Sequence, residues 1–370
     1  MALVYVHGIG NRGDDRYKAA ARRRDGLFRK VLLPAVSPDL ADAKILTPFW
    51  GRLTVAPRWD LASLPQRGVE QLGPEDDERD ALVEGVPSVL SVALRSMADA
   101  VDLLYALVEP GTDGEDELVG RSPAIVGYLA AREALFPRDP EEVRYPWLRE
   151  VRDDYEFVDR LVAEVSAMFD PPEVETLGVR ERARDLLIGA LRRVNPATLV
   201  VGAGRRLAGR NTALLIADVL QYMASRGTRE RPGAIVSLVA DVIEQADGPR
   251  IIIAHSMGGN IVYDLLSHYR PDLSVDVFVT VGSQVGLFEE LSLFRESGTD
   301  RTMAAPKPPG VLHWLNVVDP ADPLSFRAGA VFDGARDYTY PSGAVWAHTA
   351  YLNQPNFHAR IGRRIAEVLA

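Results

Sequence analysis

The stretch from residue 251 to residue 259, IIIAHSMGG, constrains the fold of this chain more than any other. Its three isoleucines form a β-branched apolar run, which predicts a buried strand. After the two glycines, apolar residues recur at helical spacing, at Ile261, Val262, Leu265, Leu266 and Tyr269. The sequence therefore predicts a strand, a sharp turn with Ser256 at its tip, and a helix. This is the context in which a serine hydroxyl projects above a sheet.

The residues around Ser256 are small where such a turn requires it. Ala254 lies two residues before the serine and Gly258 two residues after it. The strict pattern G-x-S-x-G has glycine at both positions, so Ala254 is a departure from it. We expect the amide of Met257, at the positive end of the helix, to lie close to any oxyanion formed at the serine. The alternative is an ordinary strand-to-helix turn in which Ser256 is the N-cap.

A second glycine-containing loop follows the apolar segment at residues 2–6, ALVYV, which predicts another short strand. The loop reads His7-Gly8-Ile9-Gly10, and its glycines let the main chain approach a substrate closely. The loop resembles the one that carries the second oxyanion donor in α/β-hydrolases, and this resemblance implies that the donor is the amide of Ile9. Gly8 and His7 complete the predicted oxyanion and substrate-binding set, and His7 is expected to form a local hydrogen bond. A glycine turn without chemistry is the alternative.

Two aspartates are candidates for the acid that would orient a catalytic histidine. Residues 311–318 predict a buried strand, and Asp319 and Asp322 follow it, each before a proline. A loop just past a strand end offers such a carboxylate a rigid base. Asp322 fits better, because its position resembles that of the acid in serine hydrolases of this type, where it usually lies about three residues beyond the strand. Asp319 remains the alternative, and one of the two is expected to form a turn.

Among the six histidines, His348 is the predicted base. It lies between the Pro-Ser-Gly turn at residues 341–343 and the last helical pattern, and it follows Asp322 in the chain. His255 adjoins the serine, but its side chain is expected to point to the other side of the turn. Packing, surface or local roles are expected for the remaining histidines, His268, His313 and His358.

The order Ser256, Asp322, His348 resembles that of the α/β-hydrolase-fold serine hydrolases, in the style of bacterial lipases and esterases with a large insertion. The resemblance covers residues 1–55 and about 211–370, through the motifs HGIG, AHSMGG, DPADP and AHTAYL. It implies an α/β fold, with a mostly parallel sheet flanked by helices and an inserted α-helical cap. It also implies a Ser-His-Asp triad that cleaves carboxylic esters through an acyl-enzyme, with no cofactor and no metal. Because the chain opens on the HGIG strand, the two leading strands of the full fold are expected to be absent.

The resemblance divides the chain into a discontinuous core, residues 1–59 and 210–370, and a helical insertion, residues 60–209. The insertion leaves the core after a predicted strand at residues 44–50, so we expect it to lie over Ser256 as a lid. A partner-docking module is the alternative. Helical patterns are predicted within it at 86–108, 122–136, 146–169 and 179–194, with a solvated acidic loop at 74–80 and a basic linker at 198–210.

Composition narrows the classes of function. A net charge of −10 and an isoelectric point near 5.2 argue against nucleic-acid binding. The absence of cysteine excludes disulfides, a cysteine nucleophile and thiolate metal sites. No apolar stretch reaches the ~18 residues of a membrane span, and no signal peptide is visible, so a cytoplasmic location is expected.

Three functions remain open at this point. The first is an esterase or lipase acting on a small-molecule ester or lipid. The second is a lipase or acyltransferase effector directed at membrane lipid, for which the amphipathic pattern at 86–108 would supply interfacial contact. A buried role for that pattern is favoured over membrane contact. The third is a degenerate hydrolase that serves as a partner-binding scaffold.

Overall fold

The computed structural model describes residues 1–54, 88–169, 176–193, 214, 216–298, 304–344 and 347–370. The acidic loop predicted at 74–80 and the linker predicted at 198–210 lie outside these residues. Among the helices that are described, none is long and apolar enough to cross a membrane.

Eight strands are described: β1 (Ala2–Val6), β2 (Lys44–Leu46), β3 (Arg250–His255), β4 (Val275–Val281), β5 (Ala305–Pro306), β6 (Val311–Val318), β7 (Phe332–Asp333) and β8 (Ala335–Thr339). Six of them form one sheet in the order β2-β1-β3-β4-β6-β8, and every neighbouring pair is parallel. The short strands β5 and β7 pair with each other. The fold is therefore α/β, with a parallel six-stranded sheet. All its carboxyl ends lie at one edge.

The helices described before β3 are α1 (Asp15–Leu27), α2 (Leu33–Val36), α3 (Val89–Ala93), α4 (Met97–Leu107), α5 (Glu115–Leu135), α6 (Glu141–Arg144), α7 (Asp154–Phe169), α8 (Thr176–Arg193), α9 (216–225) and α10 (Ala234–Glu244). Those after it are α11 (Met257–Asp264), α12 (Val285–Glu290), α13 (Ala347–Ala350) and α14 (Pro355–Leu369).

Both faces of the four inner strands, β1, β3, β4 and β6, are largely buried, which explains their nearly continuous apolar sequences. Successive residues of β3 alternate between two cores: Ile252 faces one and Ile253 faces the other. The Ile252 face packs against helices α9 to α12. The Ile253 face packs against α14 and the π-helical segment Phe28–Leu32. Helices thus flank the sheet on both sides.

The helices α3 to α8 form a region with its own core, in which Phe157 and Leu161 of α7 pack with residues of α4, α5 and α8. This helical region contacts α1 and α14. Arg23 of α1 donates to the carbonyl of Val108 at 2.6 Å. Asp102 of α4 accepts from the hydroxyl of Tyr340 and from the amide of Asn356. These contacts place the region beside the sheet, and its predicted role as a lid over Ser256 stays a prediction.

Several predicted element bounds are corrected. The predicted strand at 44–50 ends at Leu46, because Pro48 cannot donate to a ladder and Trp50 begins a 3₁₀ turn. The predicted helix at 86–108 is broken between α3 and α4, where Ser96 caps α4 by accepting from the amide of Asp99.

The next two predicted helices also have different bounds. Helix α5 begins at Glu115, earlier than the predicted 122, because acidic residues in its first turn suit the positive helix end. The predicted helix at 146–169 is a 3₁₀ turn, Pro146–Arg149, followed by α7.

Candidate active site

The predicted site residues meet at the carboxyl edge of the sheet. His7 follows β1, Ser256 follows β3, and Asp322 lies in the loop after β6. His348 lies on α13, between β8 and α14. Parallel strands bring these separate loops to one edge, although the segments are far apart in the chain.

Ser256 has the backbone geometry that the motif predicted. Its φ is 54° and its ψ is −129°, in the left-handed half of φ space, which a non-glycine residue rarely occupies. Such a conformation costs about 1–3 kcal/mol and persists only where the surroundings enforce it. Here the Ser256 amide donates to the carbonyl of Val281 at 2.9 Å, and its carbonyl accepts from the hydroxyl of Ser283 at 2.9 Å. The Ser256 hydroxyl forms no cap on α11, so the N-cap alternative does not describe this side chain.

Glycines permit the close approach of the segments around this turn. A methyl group on Gly258 would lie 2.4 Å from the carbonyl oxygen of Val6 and 2.7 Å from that of His7. A methyl group on Gly8 would lie 2.8 Å from the β-carbon of Ser256. The loop after β1 therefore lies directly against the serine.

A continuous hydrogen-bonded chain joins the three predicted triad residues. The Oγ of Ser256 lies 2.8 Å from Nε2 of His348. The Nδ1 of His348 lies 2.9 Å from Oδ2 of Asp322 and 3.1 Å from its Oδ1. With Nδ1–H donating to the carboxylate, Nε2 of the neutral ring is left to accept the serine proton.

Asp322 is held as a carboxylate by its neighbours. Burial raises the pKa of Asp322, but hydrogen bonds from His348, the Leu324 amide and the Tyr351 hydroxyl outweigh it, and the net pKa is lowered. Gly282, at φ 55°, makes room for this group, because a methyl there would lie 3.0 Å from Oδ2 of Asp322. The acid is thus ionised where His348 needs a negative partner.

Asp319, the alternative acid, braces a different loop. Its Oδ2 accepts from the amide of Ser342 at 2.8 Å and from the Ser342 hydroxyl at 2.5 Å. Its Oδ1 accepts from the amide of Ala321 at 2.9 Å. Both carboxylate oxygens are occupied in a turn, so the geometry gives Asp322, and not Asp319, the place beside the imidazole.

The loop after β1 is fixed by polar and aromatic contacts. His7 hydrogen-bonds to the carbonyl of Gly8 at 2.7 Å, which is the local bond expected from the sequence. The ring of His7 stacks on Trp50 at 4.9 Å, and burial lowers the pKa of His7 to about 4. The buried carboxylate of Asp218 in α9 accepts from the amide of Gly10 at 3.0 Å and pairs with Arg12 at 2.7 Å. An acid far along the chain therefore clamps this loop.

The two predicted oxyanion donors lie on the two segments that meet at Ser256. Met257 is the first residue of α11, and Ile9 lies in the loop whose Gly8 abuts the serine. Among the hydrogen bonds of the described residues, the amides of Met257 and Ile9 donate to no acceptor. Both amides remain available to a ligand, as a developing oxyanion would require.

The prediction for His255 is wrong. Its ring lies beside that of His348, with centroids 5.0 Å apart, and not on the other side of the turn. The Nε2 of His255 donates to the main-chain carbonyl of His348 at 2.7 Å. Burial, and then the neighbouring His348, lower the pKa of His255 to about 3. At the end of β3, the side chain of His255 is therefore directed toward α13.

The other three histidines take no part in the contacts that join Ser256, His348 and Asp322. His358 is buried in α14 and donates to the carbonyl of Leu352 at 3.1 Å, whereas His268 contacts Glu296 at 2.5 Å. His313 lies within β6, as predicted from the sequence. Within the described part of the chain, no group of three or more His, Asp or Glu residues could hold a metal ion.

Sequence reasoning missed Tyr351, Asp218 and the role of His255. Each acts through a partner more than 25 residues away, so no local motif marks it. Comparison with protein-family models, with curated proteins and with solved structures finds no match to this chain. A functional assignment therefore depends on the geometry of the site.

Proposed function

We propose that this chain is a serine hydrolase of the α/β-hydrolase fold that cleaves carboxylic esters through an acyl-enzyme. The observation that carries the proposal is the chain of contacts at Ser256. Its Oγ lies 2.8 Å from His348 Nε2, and the opposite ring nitrogen lies 2.9 Å from Asp322. A nucleophile, a base in hydrogen-bond reach and an acid that orients the base are the three parts of such a site.

Three features of the architecture support the fold within this proposal. The serine lies on a positive-φ turn between β3 and α11, in the middle of a parallel sheet. The acid follows β6, and the base precedes α14. This order along the chain is the one that α/β-hydrolases use.

The first half of the proposed reaction forms the acyl-enzyme. His348 takes the proton of Ser256 at Nε2 while the serine oxygen attacks the ester carbonyl. The amides of Met257 and Ile9 stabilise the oxyanion, and Asp322 stabilises the imidazolium. As the tetrahedral intermediate collapses, His348 returns the proton to the departing alcohol.

The second half releases the acid. Water gives a proton to His348 and attacks the acyl carbonyl, and collapse of the new intermediate returns that proton to the Ser256 oxygen. The products are one carboxylic acid and one alcohol.

Labelling with a fluorophosphonate probe tests the nucleophile. The expected result is a covalent adduct on Ser256, identified by mass spectrometry, and hydrolysis of p-nitrophenyl esters that Ser256→Ala reduces by about 10³-fold or more. Ser292→Ala is a matched control, because Ser292 is exposed and also has a φ of 54°. We expect it to keep wild-type turnover.

The same experiment separates the other candidate functions. An ester panel of increasing acyl length, offered in solution and in vesicles, would identify a preference for membrane lipid. A protein that folds but shows neither labelling nor turnover would be a scaffold, and the proposal would be wrong.

A further inference from the structure

We propose that His255 is a positioning residue for the proposed base: its Nε2–H holds the main chain of His348 so that the imidazole faces Ser256. This inference rests on the proposed function, because it explains how the base of that reaction is kept in place.

The base lies on an element that cannot fix its own position. Helix α13 has four residues, Ala347–Ala350. So short a helix has no stability of its own, because the first turn orders several residues for a single hydrogen bond. Contacts from elsewhere in the protein must therefore set where the His348 backbone lies. The side-chain contacts to Ser256 and Asp322 orient the ring, but they do not hold the backbone.

His255 supplies such a contact from a buried strand of the sheet. It is the last residue of β3 and pairs with Val281 of β4, in the middle of the sheet. Its Nε2 lies 2.7 Å from the carbonyl oxygen of His348, which is 93 residues further along the chain. Because His255 also precedes Ser256, one short segment fixes the nucleophile and the backbone of the base together.

The protonation state of His255 suits this role. A carbonyl oxygen only accepts, so Nε2 must carry the proton, and the lowered pKa of His255 keeps the ring otherwise neutral near pH 7. The charged or titratable groups that act on it are His348, Asp322 and His7. A neutral neighbour adds no repulsion when His348 becomes an imidazolium.

The same geometry argues against a direct proton transfer through His255. Its Nε2 is engaged with the His348 carbonyl, whereas Nε2 of His348 is the atom 2.8 Å from the serine oxygen. His255 therefore acts through His348 and not on the substrate.

A matched pair of amide substitutions tests the inference. In His255→Gln the side-chain amide nitrogen can reach the position of Nε2, whereas in His255→Asn the same group falls one methylene short. We expect His255→Asn to lower kcat on a p-nitrophenyl ester by about 10- to 100-fold with KM within about twofold, because small misplacements of a reacting group are costly. We expect His255→Gln to stay within about fivefold of wild-type kcat.

Two further readouts follow the base itself. The rate of fluorophosphonate labelling at Ser256 is expected to fall in His255→Asn as kcat does. The downfield N–H proton resonance of the His348–Asp322 hydrogen bond is expected to stay sharp in the wild type and in His255→Gln, and to broaden in His255→Asn. A melting curve on each variant checks that the protein is folded.

The outcomes distinguish the two proposals. Equal kcat, labelling rate and proton resonance in folded His255→Asn, His255→Gln and wild type would overturn the positioning role alone. If wild type neither labels nor turns over, the proposed function fails. The proton resonance of the variants then decides separately whether His255 holds His348.

Discussion

The sheet, with the loops of the candidate site, and the helical region α3 to α8 are organised in opposite ways. In the sheet, residues far apart in the chain lie side by side: Val4 pairs with Leu46 on one side and with Ile252 on the other. In the helical region, the core comes from helices that are neighbours in sequence. The first region is held together by strands and loops whose backbones approach closely. The second is held together by helices that pack through their amphipathic faces.

The comparison teaches where substitution should be tolerated. At the carboxyl edge of the sheet, Gly8 and Gly258 each adjoin other atoms at less than 3.0 Å from a would-be methyl group. In α5, the exposed Gly120 has no neighbour closer than the Lys30 amine at 3.8 Å. The loops around Ser256 depend on glycines, which leave room for a neighbouring backbone. The helical region depends on side chains that pack against one another.

The largest effect is expected from the two carboxylates at the carboxyl edge of the sheet, Asp322 and Asp319. Asp322→Asn should lower kcat for ester hydrolysis by about 10³- to 10⁴-fold, because an amide presents the wrong partner to His348. Asp319→Asn leaves one acceptor oxygen where Ser342 and Ala321 now use two, so it should lower the melting temperature, yet leave the kcat of the folded protein within about tenfold. Kinetics and melting curves on both variants give the ranking. The reverse ranking would move the role of the acid to Asp319.

Effects of intermediate size are expected when the same substitution, glycine to alanine, is made in each of the two regions. Gly258→Ala places a methyl group against two backbone carbonyls and should destabilise the protein by about 1–3 kcal/mol. Gly120→Ala should stabilise it by about 0.5–1 kcal/mol, because alanine restricts the unfolded chain in favour of the helix. Denaturant unfolding measures both. If Gly258→Ala leaves the free energy of unfolding unchanged, the turn has room for a methyl group. The proposed difference between the two regions would then be wrong.

The smallest expected effect concerns the boundary between the regions. Burial raises the pKa of Asp102 to about 7, although Tyr340, Asn356 and Arg360 oppose the shift. Between the ordinary pKa of about 3.9 and pH 7 the folded protein therefore binds a proton that the unfolded chain does not, so this group lowers stability as pH rises.

Asp102→Asn removes that titration. The fall in melting temperature between pH 5 and pH 8 should shrink by roughly 2–5 °C relative to wild type. Asp113→Asn, in an exposed turn, is the control and should leave the fall unchanged. If the melting temperature of Asp102→Asn depends on pH as that of the wild type does, ionisation of Asp102 does not destabilise the boundary between the two regions.

The strands and the turn that carry the candidate site could be predicted because each is specified by a short, contiguous segment. Strand β3, the serine and the helix after it are contiguous, and the alternation of small and apolar residues specifies them. Strands β1 and β6 were predicted for the same reason, as short apolar runs ended by loop residues. The choice of Asp322 over Asp319 rested on spacing, and the geometry agrees with it.

The sequence could not predict the contacts between residues that are distant in the chain. In the sequence, His255 is only the residue before the serine. Its hydrogen bond to His348 is evident only in the structure, where the end of β3 meets α13. Tyr351, whose hydroxyl lies 3.2 Å from Asp322, reads as one more core aromatic. The break between α3 and α4 was missed because the apolar period continues across it, while the cap at Ser96 is a single hydrogen bond.

The pairing of β1 with β2 on one side and β3 on the other has a consequence for how the chain is made. One edge of β1 can pair with β2 early, but the other waits for residues 250–254. At a synthesis rate of about 5–20 residues per second, the wait is on the order of 10–50 s. During it, the nascent chain displays an apolar strand edge of the kind that pairs with other chains. Of the segments at the candidate site, the loop after β1 leaves the ribosome first, and it takes its final shape only once Asp218 and Ser256 have reached it.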